Sequence, residues 1–247
     1  SNIKTNTLRR KIACMKVFYN YLKYQNIIEE NPFNQLRFQF RTEKVLPKTI
    51  PYDILKSIFI YLEQKVIVSK TDYQKQKAER NLLIISLLLS TGIRISELCH
   101  IHLKDINLSN KTLHIIGKGK KERILFLGDQ KTFNLLETYI NKTRNESNDF
   151  LFPGKYSLKP LSEQSVRLVI KKIVEQNNFS RTITPHMFRH SFATMLLDSD
   201  VDIRYIQQIL GHSSISITQI YTHVSHSKQK EILSSFNPIS VIHSEIE

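Results

Sequence analysis

Residues 184–221 read TPHMFRHSFATMLLDSDVDIRYIQQILGHSSISITQIY, and the arrangement of helices follows from that stretch. Thr184-Pro185 is a helix entrance, because proline is tolerated in the first turn and a preceding threonine can cap free amides. His186 and Arg189, three apart, fall on one face of that helix. A turn at Asp198-Ser199-Asp200 leads to a second helix running to Leu210, which Gly211 is placed to end. His212 then stands at a corner between helices, where its imidazole can point into a cleft. Tyr221 follows, on or just after a short helix begun by Ser213-Ser214. Taken singly, none of these residues is informative: tyrosines are usually amphipathic packing residues, and ten are present here. The His186/His190 pair has the spacing of a zinc helix, but the glutamate of such a motif is absent and Arg189 would set a cation beside the metal.

With 247 residues, 40% of them hydrophobic, the chain can form one large domain or a domain with a smaller companion. Lys and Arg outnumber Asp and Glu by 36 to 22, for a net charge of +14, which favours a polyanionic partner such as nucleic acid. No base-stacking motif of the RNA-binding sheets is present. Cys14 and Cys99 lack metal-ligand spacing and suit buried apolar positions in a reducing compartment. The strongly apolar run Leu82 to Leu89 is far too short for a bilayer, and no signal peptide precedes the first helix, so a cytoplasmic location is expected.

Residues 1–46 carry nine Lys or Arg against three Glu. Ile12, Met15, Phe18, Tyr19 and Leu22 recur at helical spacing and Asn31-Pro32 stops the pattern, which predicts a long amphipathic helix and then a short one. Such a pair buries little alone, so it reads as the later part of a larger unit that starts earlier. The charged, proline-bearing stretch Arg41 to Pro51 is a linker, dividing the chain into 1–46 and 47–247. Helix resumes at Tyr52 to about Gln64. Lys65 to Arg80 is expected to be a surface loop or frayed helix, and Leu82 to Ser90 a central core helix ended by Thr91-Gly92. Short strands are predicted at Leu103 to Asn107, Thr112 to Ile116 and Ile124 to Leu127. Between the last two lies a basic hairpin tip, Gly117-Lys118-Gly119-Lys120-Lys121-Glu122-Arg123, which suits either a phosphate backbone or a solvated turn. Glu163 to Glu175 is an amphipathic helix whose Arg167, Lys171 and Lys172 serve equally as groove readers or solubilising charges. Val224 to Phe236 holds one more helical segment, and the tail from Asn237 is expected to be mobile.

A phosphodiester resists attack because its oxygens are anionic and its leaving alkoxide is poor. Catalysis needs fixed positive donors, an in-line nucleophile and a proton for the departing oxygen. Arg94 and Arg189 can offer planar forks to non-bridging oxygens, although from its own segment alone an Arg94–Glu97 salt bridge is the more ordinary account of Arg94. A lysine at the hairpin tip can protonate the leaving oxygen; spacing does not choose among Lys118, Lys120 and Lys121. His186 and His212 can hydrogen-bond and move protons, and Tyr221 can form a covalent phosphotyrosine.

The four motifs TGIRISEL, IIGKGKKERILFL, TPHMFRHSFAT and LGHSSISITQIYTHV, in that order, resemble the tyrosine recombinases or phage-type integrases, and most closely their Xer-like branch. The resemblance covers about residues 8–236. It implies a mainly α fold: a helical catalytic domain with a small antiparallel β-sheet, preceded by a partial helical core-binding domain at 1–46. It also implies catalytic roles for Arg94, Lys118, His186, Arg189, His212 and Tyr221, with Glu97 supporting them. DNA contacts are expected from Arg9, Arg10, Lys11, Lys16, Lys120, Lys121, Arg123, Arg167 and Lys171.

By the same resemblance the partner is double-stranded DNA, held by a homotetramer on two sites, with or without a second recombinase, and the segment Val224 to Glu247 is the candidate for exchange between neighbours. The chemistry implied is site-specific strand cleavage and rejoining through a 3′-phosphotyrosyl intermediate, with no metal, nucleotide or other cofactor. A type IB topoisomerase-like relaxing enzyme shares that chemistry, and a non-catalytic DNA-binding accessory protein would share the fold.

Overall fold

The computed structural model describes residues 5–36, 48–117, 119, 121–143, 149–154, 159–211 and 226–246. The chain divides into two compact units, Ser1–Leu46 and Pro47–Glu247.

In the first unit, helix α1 (Thr5–Tyr24) is followed by a 3-10 turn, Pro32–Asn34. The helix ends well before Asn31-Pro32, where the sequence pattern placed its stop. Asn26 takes a left-handed conformation (φ 55°), and the Ile27 amide donates back to the Leu22 carbonyl. Asn31 instead ties the turn to the helix: its side chain accepts from the Phe33 amide and donates to Asn20 Oδ1 at 2.7 Å and to the Lys16 carbonyl at 3.2 Å.

The second unit is built around α3 (Asp72–Thr91), whose residues from Leu83 onward are all buried. α2 (Tyr52–Ile67), α5 (Gln130–Thr143), α7 (Pro185–Asp198) and α10 (Pro238–Ile246) pack against it. A helix apolar on every side is stable only when wrapped in this way. Most of Lys65 to Arg80, expected to be loop or frayed helix, is regular helix: Thr71 accepts from the Gln74 amide and caps α3, and Lys142 reaches the buried Glu79 at 2.7 Å. That cap and that ion pair replace the apolar anchors the sequence lacks here. Gly92, at φ 61°, ends α3 and turns the chain toward α4 (Ile95–Cys99).

The sheet is antiparallel in the order β1 (Ile106–Asn107), β2 (Thr112–Ile116), β3 (Glu122–Phe126). Leu103–Asp105, expected as strand, is a 3-10 turn. Leu113 pairs with Leu125 on the buried face, whereas Ile116 and Glu122 face outward. α8 (Ile203–Leu210) packs on α7 and α6 (Glu163–Gln176) on α4, and Gly211 (φ 65°) ends α8.

The tail from Asn237, expected to be mobile, is helical and packed within the second unit. α9 (His226–Ser235) is followed directly by α10, whose Ile239 and Ile242 are 0% exposed. Asn237 caps α10, accepting from the Ile239 amide and donating to the Ser90 carbonyl of α3. Asp129 caps α5 through the Thr132 amide, accepts from Ser240 at 2.7 Å, and lies 3.2 Å from His243 Nδ1, close enough for an ion pair but not aligned for a hydrogen bond. Among the described residues no helix is long and apolar enough to cross a membrane.

Candidate active site

Arg94 stands at the N-terminus of α4, immediately after the turn that ends α3. Glu97, one turn into α4, reaches back to accept from the Arg94 amide at 3.0 Å, so the local sequence fixes the start of the short helix. The same carboxylate accepts from the Arg94 guanidinium at 2.9 Å. The salt bridge proposed from sequence therefore exists, and the Arg94 side chain remains partly exposed.

Arg123 arrives from the sheet. Outward Glu122 and Ile124 flank it, so the alternation of β3 turns its side chain inward with Leu125. Its Nη1 and Nη2 donate to Glu97 Oε1 and Oε2 at 3.0 and 2.7 Å, and its Nε donates to the Ile209 carbonyl at 3.2 Å. Glu97 is thus saturated by two arginines while only 6% exposed. Burial alone would raise its pKa, but the hydrogen bonds and charge of Arg123, followed by the hydrogen bonds of Arg94, hold it down to about 2.

Arg189 comes from the first turns of α7 and is also 6% exposed. It donates to the carbonyls of Gly92 and Leu210, both at 2.7 Å, linking the turn before Arg94 to the end of α8. Burial, and then repulsion from Arg94 and Arg123, lower its pKa to about 10 against the attraction of Glu97. It remains charged at neutral pH. Two guanidiniums on one carboxylate, with the charge of Arg189 coupled to all three, leave an excess of positive charge where α4, the hairpin and the end of α8 meet. Such a place suits an anion whose charge grows during a reaction.

His186 is exposed, one turn before Arg189. It lines a cavity of about 600 Å³ together with Ile95, Arg167, Lys171 and Glu175. The neighbouring His190 has its pKa lowered, first by burial and then by His186 and Arg189. Arg167 and Lys171 face this cavity while paired along their own helix, with Glu163 at 2.6 Å and with Glu175 at 3.6 Å. Lys121 is exposed at the hairpin, and Arg9, Arg10, Lys11 and Lys16 are exposed on α1 of the first unit.

Lys118, Lys120, His212 and Tyr221 lie outside the described residues. The glycines next to two of them do not. A Cβ on Gly117 would sit 3.1 Å from Glu97 Oε1, and one on Gly211 would sit 3.1 Å from Arg123 Cδ. Gly117 and Gly211, the sequence neighbours of Lys118 and His212, therefore lie against the Glu97–Arg123 pair. Sequence reasoning placed Arg123 among exposed hairpin cations and missed this inward position; the signal was its register with Leu125, two residues on.

The phage integrase family model matches residues 61–228. A tyrosine recombinase of Agathobacter rectalis is 50% identical over 243 residues, covering 97% of this chain and 79% of its own. The tyrosine recombinase XerC of Bacillus subtilis is 34% identical over 243 residues, covering 96% of this chain and 76% of its own. Among solved structures, the XerH site-specific recombinase bound to its difH substrate in a pre-cleavage complex superposes with a TM-score of 0.66 at 22% identity, covering 100% of this chain and 66% of that one.

Proposed function

The chain belongs to the phage integrase family of tyrosine recombinases and is a site-specific DNA recombinase, and from that premise we propose that Tyr221 is its nucleophile and that Arg94 and Arg189 clamp the scissile phosphate. The observation that carries the proposal is that Arg94 and Arg123 converge on Glu97 while Arg189 bonds the Gly92 and Leu210 carbonyls that flank the same junction. In the proposed step Tyr221 Oη bonds to phosphorus as its own proton passes to water, and the P–O5′ bond breaks. Lys118 supplies the proton that the 5′ oxygen takes up. The product is a 3′-phosphotyrosine that keeps the energy of the broken diester, so a 5′ hydroxyl can reverse the step without ATP. Arg94 and Arg189 stabilise the two negative non-bridging oxygens as the fifth ligand approaches, a role filled elsewhere by metal ions. His186 and His212 donate hydrogen bonds to the same phosphate.

The wider reading is a homotetramer acting in the cytoplasm on two double-stranded DNA sites, with unit Ser1–Leu46 contributing DNA contacts through Arg9, Arg10, Lys11 and Lys16, and with room for a second recombinase as partner. A library of nicked duplexes of random sequence, incubated in EDTA and then denatured, tests the chemistry by covalent trapping. Wild-type protein is expected to give a metal-independent adduct that Tyr221→Phe lacks, and sequencing the trapped strands yields the preferred site. An adduct that persists in Tyr221→Phe rejects the nucleophile. Trapping that needs no specific sequence points instead to a topoisomerase-like relaxing activity, and binding with no adduct to an accessory role.

A further inference from the structure

We infer that Arg123 is a positioning residue for phosphate activation rather than a DNA contact: it holds Glu97 so that Arg94 keeps its donors for the scissile phosphate. The inference rests on the proposed roles of Arg94 and Tyr221. Glu97 has two carboxylate oxygens and two guanidiniums competing for them. Arg123 takes both oxygens, at 3.0 and 2.7 Å, while Arg94 reaches only Oε1 with its side chain. A bidentate fork is the stronger pairing, so Arg123 wins that competition, and among the described residues the Arg94 guanidinium makes a single bond, to Oε1. Without Arg123 the carboxylate can turn to pair with Arg94 on both oxygens. That would neutralise the charge the phosphate needs and draw the guanidinium away from it.

Two further contacts make Arg123 the joint of the site. Its Nε holds the Ile209 carbonyl in the last turn of α8, two residues before Gly211. Its guanidinium lies 3.2 Å from where a Gly211 Cβ would be, and on the other side Nη1 lies 3.6 Å from that of Gly117. Both glycines leave room for the ion pair, and each immediately precedes a residue assigned to the reaction, Lys118 and His212. One side chain thereby sets the distance between the hairpin, α4 and the end of α8. Its Nε, Nη1 and Nη2 all donate within the protein, to the Ile209 carbonyl and to both Glu97 oxygens, so its guanidinium is committed to the joint and not to a DNA backbone.

The test compares wild type, Arg123→Gln and Arg123→Lys on the best duplex from the trapping selection, in two forms: one with a normal scissile phosphate and one with a neutral methylphosphonate there. Adduct formation by the wild type itself reports on the underlying mechanism; the ratios between variants report on Arg123. For Arg123→Gln, DNA affinity is expected to stay within about twofold of wild type and its salt dependence to be unchanged, because no phosphate contact is lost. The single-turnover rate of adduct formation is expected to fall about 100-fold on the phosphate, the scale of a misplaced catalytic group. On the methylphosphonate, where one negative charge is already removed, the loss shrinks to about tenfold or less. Arg123→Lys, which keeps the charge but not the fork, is expected to lie between and carries the test if the Gln variant does not fold. Equal losses on the two substrates at unchanged melting temperature would reduce Arg123 to a general structural residue. A salt slope lowered by about one, with a normal rate at saturating DNA, would make it a phosphate contact and overturn the inference.

Discussion

Glu97 accepts from two guanidiniums and one backbone amide while almost fully buried, and the cost of burying its charge is met only because all these donors are in place. Its pKa in the folded protein, about 2, lies below the ordinary 4.5. A depressed carboxylate contributes stability that is fully present above the unfolded value and is lost as pH falls through the folded one. The size of the shift corresponds to about 3 kcal/mol at neutral pH. Asp129, held at about 2 against burial by His243, Thr132 and Ser240, adds to the same window. Unfolding free energy is therefore expected to be flat near neutrality and to drop steeply between about pH 4.5 and 2. Glu97→Gln should be destabilised by on the order of 3 kcal/mol at pH 7, with a shallower acid slope, since it strands two arginines and no longer titrates. Urea unfolding at several pH values measures both, and parallel pH profiles for the two proteins would reject Glu97 as a source of the slope.

At the scale of elements, α10 is the part whose packing most changes the picture drawn from sequence. Ile239 and Ile242 are fully buried against α2 and α3, and the helix is fastened at both ends, by Asn237 on the Ser90 carbonyl and by Lys56 on Glu245 at 2.9 Å. Burying two isoleucines is worth about 1.5–3 kcal/mol each, so ending the chain at Phe236 should cost roughly 3–5 kcal/mol in urea unfolding. An unchanged midpoint would mean that α10 does not pack on its own chain in solution. The sequence held the signals for this helix: Asn237-Pro238 is a cap and first-turn pair, and Ile239, Ile242 and Ile246 repeat at helical spacing. Its place at the end of the chain hid them, because nothing local says that a terminal stripe finds a groove. α3 was legible at Leu82 to Ser90 because it is apolar all round, whereas its first half depends on Lys142, sixty-three residues from Glu79. Arg94, Glu97, His186 and Arg189 were singled out by motif and order, and of these the structure sets Arg94 and Glu97 in direct contact. The inward position of Arg123 was not legible, because it is set by which face of a two-residue alternation meets α4.

Over the whole molecule, the charge of +14 is unevenly placed, and the first 46 residues hold nine cations against three carboxylates. Double-stranded DNA condenses counterions, and each phosphate neutralised by a cation releases some of them. With about 6–10 phosphate contacts, affinity should fall on the order of 10³–10⁵-fold between 50 and 200 mM salt. Cations on α1 are exposed and are not among the residues assigned to bond breaking, so they should contribute to this slope and little to the chemical step. Replacing Arg9, Arg10, Lys11 and Lys16 together by Gln is expected to reduce the slope of log K against log salt by up to about 4 units, uniformly across DNA sequences. Adduct formation at saturating DNA should be retained, because Arg94, Glu97, Arg123 and Arg189 are untouched. Fluorescence anisotropy over a salt series reads the slope directly. A variant with an unchanged slope would make these four cations a solvated face, and the phosphate contacts would then have to come from the second unit, where Lys121, Arg167 and Lys171 are the residues to replace next.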